Sequence, residues 1–84
     1  MLMEETTQIA TRLLDHIRSD LLEIGESFGL DSDLFAAGLD SMSIMQLILF
    51  IEEEFAVRLP DGAITRATFS TARHIAEAIR QTQG

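Results

Sequence analysis

The stretch SMSIMQLILFIEEEF, Ser41 to Phe55, runs without a glycine or proline between Gly38 and Pro60. It narrows the choice of folds more than any other part of the chain. Its apolar residues do not alternate; they recur at helical spacing. At about 100° per residue, Ile44, Leu47, Ile48, Ile51 and Phe55 share an arc of roughly 100°, which suffices for a core face. Met42, Met45 and Leu49 form a second arc nearly opposite, with Gln46, Glu52 and Glu53 between and below them. A small helical domain cannot easily bury both faces. The second stripe is therefore expected to be exposed and to meet a partner, since methionine is favoured on adaptable binding surfaces. The competing reading folds the preceding loop over it.

The rest of the chain agrees with a helical domain. Thr6 to Ile24 reads as an amphipathic helix, with Ile9, Leu13, Ile17 and Leu21 in an i+4 row, Leu14 and Ile24 beside them, and Thr6 or Thr7 as N-cap. Gly25 to Asp40 is a long connection holding three of the five glycines. Phe28, Leu30, Leu34, Phe35 and Leu39 make it too apolar for a free linker, so it should pack on the domain with a short turn near Asp31 to Phe35. Pro60 and Asp61-Gly62 mark a stop and a turn. Ile64 to Ala67 fits one short helix. Ser70 or Thr71 can cap a last helix in which Ala72, Ile75, Ala76 and Ile79 make an apolar stripe up to about Gln81. No segment alternates long enough to be a strand. The expected fold is all-α, a four-helix bundle of three main helices and one short one, in a single domain of 84 residues.

Composition removes several functions. The chain has no cysteine, so a disulfide framework and a thiol nucleophile are absent and zinc loses its commonest structural ligands. MLMEETTQ turns acidic before any signal-like apolar run develops, and Leu47 to Ile51 is too short to span a membrane. A cytoplasmic monomer is expected. Six basic residues, all arginine, face fourteen acidic ones for a net charge of −8. The excess lies in Met1 to Val57, which disfavours nucleic acid and favours basic protein partners.

No catalytic or metal site assembles. There is no G-x-S-x-G, P-loop or dinucleotide fingerprint. His16 and His74 lie within helical patterns, and a packing or surface role for His74 is favoured over a base for Ser41. DSDLFAAGLDSM begins like a calcium loop, but its fifth, sixth and twelfth positions are Phe35, Ala36 and Met42.

Asp40 or Ser41 could simply cap the second helix. The residues around them add more. LFAAGLDSM resembles the phosphopantetheine attachment motif of acyl and peptidyl (aminoacyl) carrier proteins, where a glycine stands two residues before an Asp-Ser pair and Leu or Met follows. Gly38, Asp40, Ser41 and Met42 fill these places, and the EEEF at Glu52 to Phe55 and the LPD at Leu59 to Asp61 continue the similarity. The resemblance implies that a phosphopantetheinyl transferase esterifies Ser41 with 4′-phosphopantetheine from coenzyme A, making the chain a phosphoprotein whose terminal thiol carries a thioester. It further implies that Asp40 assists the transferase and its magnesium, and that Gly38 forms a turn exposing the hydroxyl. A helix N-terminus suits a phosphodiester.

The partners implied are the transferase, an adenylating acyl or aminoacyl ligase and a downstream acceptor enzyme. Met42, Met45, Leu49, Glu52 and Glu53 are the candidate partner surface. Fatty acid carriers usually place acids along the first half of this helix and a small residue where Phe50 stands. Here Ser43 to Gln46 carries no acid, and an inward Phe50 would shrink a chain-holding cavity. Both features favour a stand-alone aminoacyl carrier over a fatty acyl or polyketide carrier; an unmodified helical adaptor that only docks proteins is the alternative of a different class.

Overall fold

The computed structural model describes the backbone of residues 2–83 and the side chains of residues 5–83. Three α-helices carry the fold: α1 (Leu2–His16), α2 (Ser41–Phe55) and α3 (Ala72–Gln83). No strand occurs among the described residues.

α1 departs from the sequence reading at both ends. It is already helical at Leu2, so Thr6 and Thr7 lie inside it and cap nothing. The Thr7 carbonyl instead accepts from the Thr11 hydroxyl at 2.8 Å, one way a helix absorbs such residues. At the other end α1 widens into a π-helical turn, Ile17–Leu21, closed by Leu22 N donating to Ile17 O at 2.9 Å. Helix ends there, and Ile24 sits in the loop. The apolar face is as expected: Leu13, Leu14 and Ile17 are buried, joined by Ala10, while Ile9 and Leu21 pack at its margin.

The connection after Leu22 folds onto the body. Arg18 reaches across it, its Nη2 donating to Phe28 O at 3.2 Å. Leu34 N donates to Ser70 O at 2.8 Å and Arg73 N to Leu30 O at 3.0 Å, so the main chain is tied to the start of α3 at two points. Arg73 adds a fork onto Asp31, Nε–Oδ1 2.7 Å and Nη2–Oδ2 3.2 Å. Leu34 and Leu39 are buried.

The short helix expected at Ile64 to Ala67 is not formed. Two 3₁₀ turns, Asp61–Ala63 and Thr68–Ser70, flank that segment instead. Thr65 explains the displacement: its hydroxyl accepts from Thr68 N at 3.2 Å, starting the second turn later in the chain. Phe69 on that turn is fully buried. Thr71 caps α3, its hydroxyl accepting from His74 N at 3.0 Å, and the helix runs past Gln81 to Gln83. Ala72, Ile75, Ala76 and Ile79 are all buried. α1 and α3 pack directly together, leaving α2 to close one side through Leu47 and Ile51, its buried residues.

Candidate functional site

The site is built by the turn that leads into α2. Leu39 N donates to Leu34 O at 3.0 Å and Gly38 N to Phe35 O at 3.1 Å, reversing the chain tightly. Gly38 takes φ +113°, a conformation that side chains resist, so glycine is needed there. Asp40 is extended (φ −133°, ψ −176°), and its carbonyl accepts the first helical bond from Ile44 N at 2.8 Å.

The question of which residue caps α2 resolves in favour of Asp40. Its Oδ1 accepts from Ser43 N at 2.9 Å and from the Ser43 hydroxyl at 3.0 Å. The backbone bond from Ser43, followed by the hydroxyl bond, holds the Asp40 carboxyl below its ordinary value. Ser41, the first helical residue, is exposed, and its hydroxyl makes no hydrogen bond to the described residues. That oxygen is free for chemistry.

The depressed Asp40 value gives a pH prediction. The folded carboxyl is more acidic than a free aspartate, whose ordinary value is 3.8, so the cap contributes fully above about pH 3.8 and fades as pH falls through the lower folded value. Asp40→Ala should therefore lower Tm near neutral pH, and its gap to the parent should close as the pH drops below that range. Paired thermal melts across pH check this; a gap constant down to acid would separate the cap from the charge.

The two faces of α2 fall as the spacing predicts. Leu47 and Ile51 are inaccessible to solvent, with Ile44, Ile48 and Phe55 packed partly against the core. Met42, Met45 and Leu49 are 71%, 65% and 56% exposed, so the loop does not cover them. Leu49 borders a shallow groove between α1 and α2 lined by His16, Asp20, Leu21, Gln46, Phe50 and Glu53. Among the acids, Glu52 lies 3.7 Å from Arg58 and Glu54 2.8 Å from Arg12, while Glu53 has no ion-pair partner among the described residues.

Phe50 packs partly buried against the core, on the flank where it was expected. It closes the seam between α1 and α2, half-buried and stacked flat on His16 (centroids 3.8 Å apart, planes at 6°), with the Phe55 ring edge-on at 6.1 Å. His16 therefore packs, and also pairs with Asp20 at 3.2 Å. The His74 Nδ1 is engaged by the hydroxyls of Thr71 at 2.9 Å and Ser70 at 3.2 Å, at the head of α3.

Two features went unread in the sequence. Ser43 binds the Asp40 carboxylate twice; the Asp-x-x-Ser spacing of an N-cap and its third helical residue was the available signal. Arg66 lies over the Phe35 ring, 4.1 Å from its centroid, in the turn before Asp40. It is the only arginine without an ion-paired carboxylate among the described residues.

Comparison with known proteins places this geometry. The chain is 38% identical over 50 residues to an aminoacyl carrier protein of Agrobacterium fabrum, a match spanning 60% of each chain. It is 36% identical over 73 residues to a D-alanyl carrier protein of Streptococcus sanguinis, covering 77% of this chain and 92% of that one. A chain in the crystal structure of an engineered Bradyrhizobium japonicum glycine:[carrier protein] ligase, complexed with carrier protein from Agrobacterium tumefaciens and ATP, superposes with TM-score 0.73. It shares 27% identity and covers 90% of this chain and 97% of that one. A chain of the related ligase complex with glycylated carrier protein shares the fold, at TM-score 0.67 and 20% identity over 87% of this chain and 96% of that one. The family model described as the phosphopantetheine attachment site matches residues 10–79, from the buried face of α1 to that of α3, and the chain belongs to that family.

Proposed function

We propose that this protein carries an aminoacyl group as a thioester on a 4′-phosphopantetheine arm joined to the Ser41 hydroxyl. The observation that carries this reading is the state of that hydroxyl: exposed, unbonded, and relieved of capping by Asp40. The first turn of α2 suits a phosphodiester, because its positive end offsets added negative charge. When bound, the arm supplies a terminal thiol that holds the acyl group. The chain's own residues give it an anchor and a surface beside that anchor.

An aminoacyl cargo is supported by the names of the relatives and by the surface of α2. Partners would meet the apolar stripe of Met42, Met45 and Leu49 first, with Glu53 and the Arg58-paired Glu52 farther along the helix. A transferase that installs the arm, an adenylating ligase that loads it and an acceptor enzyme are the partners this reading requires. A cytoplasmic setting, where coenzyme A and ATP are at hand, suits this reading. No helix among the described residues is long and apolar enough to cross a membrane.

Co-expression with a broad-specificity phosphopantetheinyl transferase tests the reading. Intact-mass analysis should show a single phosphopantetheine per chain. No gain would favour an unmodified adaptor, and preferential loading with fatty or polyketide acyl groups would replace the aminoacyl cargo.

The docking face has its own test. Met45→Asp and Leu49→Asp should keep the helical circular dichroism and the arm, yet lower ligase kcat/KM for the arm-bearing carrier about tenfold or more. Desolvating a carboxylate in an apolar contact opposes binding. Normal loading of both folded variants would remove the stripe from the interface.

A further inference from the structure

Ser43 does more than a cap requires. An N-cap needs the backbone N–H of the third helical residue, and any side chain at 43 would leave that amide in place. Here the hydroxyl adds a second bond to the same acceptor, 3.0 Å from Asp40 Oδ1 beside the amide at 2.9 Å. No hydrogen bond from the described residues ends on Oδ2. Two donors from one residue hold Oδ1 and restrict the rotation of the carboxylate, which belongs to an exposed residue immediately before Ser41.

We propose that Ser43 is a positioning residue for arm attachment, its hydroxyl holding the Asp40 carboxylate so that Oδ2 meets the transferase–coenzyme A complex. This rests on the reading of Ser41 as the attachment point. In that step Ser41 Oγ bonds to the phosphorus of the pantetheine phosphate in coenzyme A. The bond from that phosphorus to the bridging oxygen breaks, adenosine bisphosphate leaves with the electron pair, and the Ser41 proton passes to a base on the transferase. Phosphate oxygens gather negative charge around this centre. A carboxylate next to it helps only by meeting a cation or basic side chain of the incoming complex. A carboxylate fixed in rotation meets such a group without further ordering, whereas a freely turning one must first be immobilised.

The experiment uses the full chain without its arm, a broad-specificity phosphopantetheinyl transferase, coenzyme A and magnesium. Ser43→Ala should lower kcat/KM for attachment by about tenfold, in the range typical of groups that orient a neighbouring ligand. Ser43→Thr, which restores a hydroxyl, should recover the rate. Asp40→Ala with Ser43→Ala should be no slower than Asp40→Ala alone, because Ser43 acts through Asp40. Circular dichroism of each variant confirms α2. An unchanged rate in Ser43→Ala, a failed rescue by threonine, or additive losses in the double variant would overturn the proposal. A parent that takes no arm at all would remove the Ser41 reading with it; a modified parent with an indifferent Ser43→Ala removes the role of Ser43 alone.

Discussion

Ser41→Ala is expected to abolish attachment of the arm while leaving the protein folded. The chain has other hydroxyls, but most are tied down: Thr65 and Thr68 to each other, Ser70 and Thr71 at the head of α3, Ser43 to Asp40. Ser41 is exposed at the first position of α2 with its oxygen uncommitted. Because Asp40 supplies the cap, deleting the Ser41 oxygen leaves no amide unpaired. Stability should stay within about 0.5 kcal/mol of the parent, as for surface changes away from such features. Intact-mass analysis after incubation with the transferase should show the unmodified mass only. Any arm on that variant would move the attachment point elsewhere.

Leu47→Ala is expected to produce the largest loss of stability, on the order of 2–5 kcal/mol for a buried leucine. A small domain has only about 5–15 kcal/mol to lose. Leu47 is fully buried beside Ile51 on the inner face of α2, whereas Met45, two residues earlier, is 65% exposed. Urea unfolding should therefore separate the two sharply, with Met45→Ala close to the parent. A negligible cost at Leu47 would mean that the two faces of α2 had been exchanged.

α2 was legible in the sequence because every local signal agreed: no breaker within it, an Asp-Ser start, a 3.6-residue apolar period and a positive-φ glycine before it. Both its ends and both its faces follow from these. α1 was harder, since threonine reads as a cap by preference, yet Thr6 and Thr7 lie inside a helix already formed at Leu2, as does Thr11 with its hydroxyl bonded back to Thr7 O. The π-helical widening at Ile17–Leu21 has no period of its own to betray it. The segment from Pro60 to Thr71 is shaped by side-chain bonds of Thr65 and Ser70, which a spacing rule does not see. At the site, Gly38, Asp40 and Ser41 could be named from their order. The pairing of Ser43 with Asp40 was open to the Asp-x-x-Ser spacing, but its second hydrogen bond was not, because that depends on the rotation of one carboxylate.

The helices are not equally embedded. α3 buries Ala72, Ile75, Ala76 and Ile79, and α1 with its π turn buries Ala10, Leu13, Leu14 and Ile17. α2 buries Leu47 and Ile51, and keeps a whole stripe in water. Local opening follows buried contact, so α2 is the element whose release costs least short of global unfolding. In native-state hydrogen exchange its amides are expected to form the faster cooperative unit, with α1 and α3 the slower one; equal protection of all three helices would contradict this. The helix that begins at Ser41 is thus the outer panel on a two-helix frame. A partner that grips its outer face can shift it without dismantling the protein.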